Sequence, residues 1–153
     1  MLSKKSVYAL KALQYLTKAS QRGPILISEI AEQEGIPQKF LELILLELKK
    51  EGILESRKGK GGGYLLARPA DSITLGQVIR KLEGPLALRP CVSQTAYKRC
   101  DECKDERTCG IRMVMKEVRD RTAEILDQTS FAQVEASVRE SLNSQSAIID
   151  YCI

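Results

Sequence analysis

The sequence of 153 residues contains no histidine and no tryptophan, and only 5% of its residues are aromatic. The absence of histidine excludes Ser-His-Asp and Cys-His catalysis and every mixed Cys/His metal site. No apolar run approaches membrane-spanning length, and Lys4, Lys5 and Lys11 interrupt the first apolar residues. We therefore expect a cytoplasmic protein that is not an enzyme, with no signal peptide and no membrane partner.

The net charge is only +4, but it is unevenly distributed. Residues 1–70 contain twelve Lys or Arg against seven Asp or Glu, a balance of +5. The remaining residues contain twelve against thirteen, a balance of −1. A basic excess confined to one part of a chain is typical of nucleic-acid binding.

Residues 27–67 contain the pattern on which the functional prediction rests. Ser28 is a suitable N-cap for a short helix, and Gly35 is suited to end it with a positive φ. Pro37 then favours the start of a second helix, which Gly52 ends. The apolar residues of that helix recur at i, i+3, i+4 and i+7: Leu41, Ile44, Leu45 and Leu48. The two helices predict a helix-turn-helix, with Leu41 to Leu48 as core.

A glycine-rich loop follows the second helix. Residues 53–56 and 64–67 favour two short strands, and the loop between them contains Arg57, Lys58 and Lys60. Its glycines allow the backbone to approach a phosphate or to enter a minor groove. A nucleotide-binding loop is the alternative, but such loops open a helix, whereas this one leads into a strand. The sequence therefore predicts a wing, and DNA is the expected partner over a protein.

The candidate DNA contacts lie in three places: the polar face of the second helix of the helix-turn-helix, the wing, and the start of the first helix of the helix-turn-helix. They are Ser28, Gln38, Lys39, Phe40, Glu42, Arg57, Lys58 and Lys60. Lys49 and Lys50 lie on the same polar face of the second helix. A polar face on the second helix of such a motif is what the DNA major groove receives.

Helical periodicity extends to other parts of the chain. Ser3 is a suitable N-cap for a helix over residues 4–19, and Thr74 caps a helix that Gly84 ends. A further helix over residues 110–128 carries a narrow apolar stripe: Ile111, Val114, Met115, Val118, Thr122, Ile125 and Leu126. This stripe predicts a homodimer, whose two recognition helices face successive major grooves of a partly palindromic site.

Four of the five cysteines, Cys91, Cys100, Cys103 and Cys109, follow the spacing C-x8-C-x2-C-x5-C, and Cys152 stands apart. Because cytosolic thiols stay reduced, they predict metal or redox chemistry in preference to a disulfide framework. The uneven all-thiolate spacing favours an iron–sulfur cluster. Zinc stays open, although structural zinc normally uses two C-x2-C pairs and only one is present. A thiol switch also stays open, in which nearby cations lower the thiol pKa values: Lys98, Arg99, Lys104 and Arg107.

The chain resembles the IscR/NsrR family of bacterial transcription regulators over about residues 1–140. The resemblance rests on the run IPQKFLELILLELKKEGILESRKGKGGGYLLARPADSITLGQVIRKLEG, followed by a cysteine loop and a long helix. It implies a winged-helix homodimer that binds double-stranded promoter DNA. In cysteine-bearing members it also implies an iron–sulfur cluster that senses redox state, iron–sulfur supply or nitric oxide.

The resemblance also assigns particular residues. It implies recognition-helix contacts at Lys39, Phe40 and Glu42, and a minor-groove contact at Lys58 beside Arg57. The family's cluster ligands correspond to three of the cysteines: Cys91, Cys103 and Cys109. We expect a [2Fe–2S] cluster, with [4Fe–4S] and zinc as alternatives.

Two residues depart from the family's ligand pattern. Arg112 stands where IscR-like members have a histidine ligand, and Val7 stands where some members supply a carboxylate. A guanidinium group does not normally coordinate metal. Cys100 is additional to the family pattern, and we predict that it is the fourth ligand.

The predicted fold is mainly α with a small β-wing. It comprises a winged helix-turn-helix DNA-binding domain over residues 1–84 and a cysteine-rich cluster-binding loop over 85–109. A dimerisation helix and a short helix follow over residues 110–142, and a tail over 143–153. The predicted function is a homodimeric transcription regulator whose DNA affinity is controlled by an iron–sulfur cluster. A zinc- or thiol-switch regulator, or an adaptor that binds protein, is the alternative.

Overall fold

The computed structural model describes the backbone of residues 2–150 and the side chains of residues 2–144. Within this range the helices are α1 (Lys4–Lys18), α2 (Ile27–Glu34), α3 (Gln38–Lys50), α4 (Leu75–Glu83), α5 (Gly110–Gln128) and α6 (Phe131–Asp150). Strands β1 (Leu54–Arg57) and β2 (Gly63–Leu66) form an antiparallel sheet. This confirms the predicted fold class, mainly α with a small β-wing. No helix of the described residues is long and apolar enough to cross a lipid bilayer.

The chain divides into two compact units. The first unit contains the residues up to Ile73 and those from Ser130 onward, and the second contains Thr74–Thr129. In the first unit α1, α2 and α3 pack against one another, and α6 packs against α1. Ser3 caps α1, as predicted, because its hydroxyl oxygen accepts a hydrogen bond from the Ser6 N–H at 3.2 Å.

The turn between α2 and α3 has the predicted backbone geometry. Gly35 ends α2 in the left-handed region, with φ 63° and ψ 39°. The N-cap prediction for Ser28 was wrong: Leu26 is the N-cap residue, and no side chain caps α2. Ile25 is held in a β-bridge to Tyr64, so the chain leaves that bridge and enters the helix at once.

The sheet that forms the wing is shifted by one residue from the prediction at both strands. Leu54 pairs with Leu66, and Arg57 pairs with Gly63. The bridge from Ile25 to Tyr64 extends the sheet through two N–H···O=C bonds of 2.8 Å. The wing is therefore anchored to the segment that opens the helix-turn-helix.

Helix α6 extends beyond the short helix predicted over residues 130–142. The hydroxyl groups of Ser141 and Ser144 donate to the backbone oxygens of Ser137 and Glu140, each at 2.9 Å. Because these serines bond within the helix, their polarity does not end it. Part of the segment predicted as a tail is thus helical, and Cys152 lies outside the described residues.

The second unit is built on the packing of α4 against α5. Thr74 caps α4 as predicted, accepting from the Gln77 N–H at 3.2 Å. Arg80 of α4 forms a two-pronged ion pair with Asp127 of α5, whose Nη2–Oδ2 distance is 2.8 Å, and this lowers the pKa of Asp127. Helix α4, which the sequence groups with residues 1–84, thus lies in the second unit.

Candidate nucleic-acid interface and cysteine loop

Helix α3 has a buried face and an exposed face. The buried side chains are the four predicted ones, each at most 1% exposed: Leu41, Ile44, Leu45 and Leu48. The opposite face is centred on residues spaced by four, three and four, which we call the outer stripe of α3: Lys39, Leu43, Leu46 and Lys50. Leu43 is 64% exposed and Leu46 is 47% exposed. The prediction that the leucines from 41 to 48 are all core was therefore wrong for these two.

The eight residues predicted to contact DNA are all exposed: Ser28, Gln38, Lys39, Phe40, Glu42, Arg57, Lys58 and Lys60. They belong to the first unit, on α2, α3 and the wing. Ser28 lies at the second position of α2, not at its cap. The unit thus presents these side chains to solvent, where a ligand can reach them.

Two of the aromatic residues of the first unit contact each other edge to face. The ring of Phe40, on α3, lies 5.8 Å from that of Tyr8, on α1, with an interplanar angle of 79°. Phe40 remains 38% exposed. Such pairs contribute about 0.5–1.5 kcal/mol beyond area burial. The contact therefore positions the start of α3, and Phe40 still reaches solvent.

Two lysines near this surface have partners within the first unit. Lys5 of α1 forms a salt bridge of 2.6 Å with Glu47 of α3, and both side chains are 36% exposed. A pair so exposed stabilises by about 1 kcal/mol or less. Lys49 donates to the hydroxyl group of Ser56 in β1 at 2.6 Å. These contacts hold both flanks of α3 and leave its outer stripe accessible.

The wing carries one cation at the end of β1, Arg57, and two on the loop between β1 and β2, Lys58 and Lys60. The Nη2 atom of Arg57 lies 3.6 Å from Oε1 of Glu55, and 64% of the Arg57 side chain is exposed. Lys58 and Lys60 are also exposed. The loop turns through Gly59 and Gly61 with φ of 91° and 77°. Positive charge on an exposed loop beside a recognition helix favours contact with phosphate groups.

Two wing glycines are required by the protein's own backbone. A Cβ atom on Gly63 would lie 2.3 Å from the carbonyl oxygen of Ile25, and one on Gly62 would lie 2.4 Å from that of Arg57. A Cβ on Gly61 would meet nothing within 4 Å. The sequence predicted that wing glycines permit approach to DNA, whereas Gly62 and Gly63 serve the packing of the wing itself.

The cysteine loop lies in the second unit, between α4 and α5. Cys91 is buried, 6% exposed, in the short 3-10 turn Pro90–Val92 that packs against α5. Cys100, Cys103 and Cys109 are half-buried, and all four thiols are free. The Cys103 N–H donates to the Cys100 carbonyl oxygen at 3.1 Å, and Arg89 donates to the Cys100 sulfur at 3.3 Å.

The electrostatics of the loop contradict one prediction. Burial first, and then the neighbouring Cys109, raise the pKa of Cys103 above its ordinary value, and Arg99 lowers it by less. Arg107 instead binds Asp105 through its side chain, at 3.3 Å. The predicted lowering of thiol pKa values by nearby cations is therefore wrong at Cys103.

The loop contains four thiols, which are suitable metal ligands, but these thiols are not arranged around a common metal site. Among the described residues, no group of three or more Cys, Asp, Glu or His side chains is arranged to hold a metal ion. Cys91 is fixed by packing against α5, whereas the other three thiols lie on an irregular segment that ends at α5. Four thiols on one loop still match the ligand preference of iron–sulfur clusters.

Helix α5 buries no residue within the described chain. Four of its exposed apolar side chains lie along one face, and Met113 lies on the opposite face; the four are Ile111, Val114, Val118 and Ile125. Glu117 and Arg121 flank a groove on this face that Val118 and Ile125 help to line. An apolar stripe with no partner in its own chain favours an intermolecular contact.

An exposed recognition helix, a cationic wing and a helix-turn-helix define a winged helix-turn-helix DNA-binding transcription regulator. The family model described as "Rrf2: Iron-dependent Transcriptional regulator" matches residues 2–137. The chain belongs to the Rrf2 family. This confirms the predicted resemblance to IscR-type regulators.

Relatives and solved structures agree with this assignment. The Rrf2-like HTH-type transcriptional regulator of Rhodobacter capsulatus is 42% identical over 121 residues, covering 77% of this chain and 81% of the relative. CymR, the global cysteine regulator of B. subtilis, has a TM-score of 0.75 and 28% identity, covering 90% of this chain and 97% of that chain. IscR of T. potens has a TM-score of 0.74 and 28% identity, covering 92% and 90%. The named relatives are regulators and not enzymes.

Proposed function

We propose that two copies of this chain bind a partly palindromic promoter duplex in the cytoplasm, and that an iron–sulfur cluster held by the cysteine loop controls their affinity for it. The proposed DNA binding is supported by the exposed outer stripe of α3 and by the cationic wing beside it. The wing would supply sequence-independent attraction, and α3 would supply base contacts.

The roles of the two elements can be separated by two variants. Lys58→Ala should weaken binding to all duplexes and reduce the salt slope by about one, because one phosphate contact is lost. Glu42→Ala should relax the preference at one base pair by about 1–3 kcal/mol, because a glutamate there accepts from a cytosine amino group. Both are measured by fluorescence anisotropy on a selected duplex and its single-base variants, at several salt concentrations.

The matched control for both variants is Lys116→Ala, an exposed lysine of α5. It should bind like the parent protein. If Lys58→Ala and Glu42→Ala also bound every duplex like the parent, the assigned DNA surface would be wrong.

A homodimer through α5 is supported by the exposed stripe and its charges. The groove is flanked by a glutamate and an arginine one turn apart, Glu117 and Arg121. A two-fold interface places the same patch on both copies, so a patch that carries both charges is complementary to itself. Burying Val114 and Ile125, 56% and 65% exposed, would then stabilise the pair by apolar burial.

Substituting Val114→Glu should separate the two copies. Each copy would bury an unpaired carboxylate, and a penalty of about 1–3 kcal/mol per copy weakens dimerisation by more than about thirtyfold. Analytical ultracentrifugation measures the dissociation constant. Lys116→Glu is the control, since it changes charge by more but does not lie on the stripe, and it should leave the dimer intact. If Val114→Glu and the parent protein sedimented equally, Val114 would not belong to the dimer interface.

The proposed cluster ligands are Cys91, Cys100, Cys103 and Cys109. When bound, the cluster would supply a redox-active iron centre whose potential depends on exposure and on hydrogen bonds to its sulfurs. Arg89 already donates to the Cys100 sulfur, and it therefore neighbours the ligand set. Because Cys109 is the N-cap residue of α5, order in the loop is directly connected to the start of that helix.

A thiol switch is the second candidate. It is supported by the turn in which the Cys103 N–H donates to the Cys100 carbonyl oxygen at 3.1 Å, because this turn brings the two cysteines close together. A peroxide could oxidise these two thiols: one thiolate attacks the peroxide to give a sulfenic acid and water, and the second thiol displaces a further water to form a disulfide that orders the same loop without iron. An iron and sulfide assay on anaerobically purified protein separates the two, because a cluster protein is brown and a thiol switch or a zinc protein is colourless.

A further inference from the structure

Two leucines occupy the middle of the surface that the proposed function assigns to the major groove. Leu43 and Leu46 are 64% and 47% exposed, whereas Leu41, Leu45 and Leu48 of the same helix are completely buried. The two exposed leucines lie three residues apart, so they form one apolar patch that Lys39, Glu42 and Lys50 surround, and the first unit leaves this patch uncovered. The position of the two leucines on the exposed face therefore indicates that they contact an apolar group of a ligand.

The outer stripe of α3 places two hydrocarbon side chains between two positive charges. Lys39 and Lys50 lie at its two ends, roughly 16 Å apart along the helix axis, and the leucines lie between them. A helix that lies along the major groove runs between two phosphate strands, so a lysine at each end of the stripe can reach a phosphate group from within the groove. The leucines then lie over the base edges at the groove floor.

The order of charges argues against a second copy of this chain as the occupant. In a two-fold pair of antiparallel helices centred on the leucines, Lys39 of one copy would face Lys50 of the other. Like charges placed together across an interface are unfavourable. Negative phosphate strands around an apolar group match the stripe, and duplex DNA provides that arrangement.

The bases offer one apolar group in the major groove, the C5-methyl group of thymine. We propose that Leu43 and Leu46 recognise thymine methyl groups, so that the protein requires thymine at one or two fixed positions of each half-site. This specificity rests on the proposed DNA binding and adds to it the chemical group that α3 recognises. It works beside Glu42, which lies on a flank of the stripe and accepts from a different base.

The test uses a duplex selected from a random-sequence pool by the wild-type protein. Each thymine of the duplex is replaced in turn by deoxyuridine, which removes only the methyl group and keeps the base pair. Wild-type protein should lose about fourfold in affinity for each methyl contact removed, and about fifteenfold when both half-sites are changed, from the transfer free energy of one methyl group. The affinity is measured by fluorescence anisotropy.

The decisive comparison is the same series with Leu43→Ala and Leu46→Ala. Each variant should bind the thymine duplex more weakly and lose its discrimination against deoxyuridine at one position. An effect of deoxyuridine on DNA stiffness would persist in these variants, whereas a lost methyl contact would not. Leu88→Ala is the control, since Leu88 is 68% exposed in the second unit, and it should retain full discrimination.

Each outcome has one interpretation. Selection of a specific duplex that is indifferent to every deoxyuridine overturns the thymine proposal and leaves DNA binding intact. Variants that keep full discrimination but change the sedimentation coefficient show that the leucines form a protein contact, which also overturns it. If no duplex is selected and binding to DNA is absent, the proposed function itself fails.

Discussion

Protein with Cys103 and Cys109 both replaced by alanine is expected to be purified anaerobically without iron. The two thiols are half-buried on the irregular loop and are predicted cluster ligands, so their loss leaves too few thiolates to hold a cluster. An iron and sulfide assay with an absorbance spectrum measures the result. Because neither side chain belongs to the buried core, the variant should retain its helical circular dichroism.

The control for the cysteine variant is Cys152→Ala, which removes a thiol outside the loop. It should keep its iron. Cys100→Ala, taken alone, asks whether Cys100 is the fourth ligand, and a lowered iron content would support that assignment. A double variant with the iron content of the parent protein would exclude Cys103 and Cys109 as ligands.

Gly63→Ala is expected to disrupt the wing. A Cβ atom there would lie 2.3 Å from the Ile25 carbonyl oxygen and 2.9 Å from its nitrogen, and the residue has a φ of 147°. The added atom must break both 2.8 Å hydrogen bonds between Ile25 and Tyr64. Backbone strain and two lost hydrogen bonds together lower the free energy of unfolding by about 3–5 kcal/mol. Urea unfolding followed by circular dichroism measures it.

Gly61→Ala is the matched control in the same loop. Its φ of 77° makes alanine unfavourable by about 1–2 kcal/mol, but its Cβ meets nothing within 4 Å. The difference between the two variants therefore isolates the contact with Ile25. Equal stabilities would show that the bridge to Ile25 does not anchor the wing.

Local signals in the sequence were sufficient for most of the helices. Ser3 and Thr74 were identified as caps because their hydroxyl groups accept from an N–H three residues on, and that pattern is local. The cap of α2 was missed because the β-bridge between Ile25 and Tyr64 joins residues far apart in sequence. The sequence predicted a shorter α6 because serines such as Ser141 and Ser144 favour loops. In the structure their hydroxyl groups donate to backbone oxygens of the helix itself.

The sequence predicted which residue types form the candidate DNA surface and the cysteine loop. It predicted less well how these residues are arranged in space. Lysines and a glutamate on one face of α3 follow from helical periodicity. Leu43 and Leu46 lie in a continuous apolar run, and only their angular distance from the buried Leu45 separates them from the core. For the cysteines, spacing gives the donor set, but the fold of an irregular loop follows from no periodic rule.

The central claim is that cluster occupancy changes the affinity of this regulator for its duplex. The direct measurement is the dissociation constant for one selected duplex, determined anaerobically for iron-loaded protein and for the same preparation after its iron is removed by a chelator. A coupling of about 1–3 kcal/mol predicts constants that differ by about 5- to 150-fold. The Cys103 and Cys109 double variant should match the iron-free protein. Identical dissociation constants for the two forms, with iron content verified in each, would contradict the account.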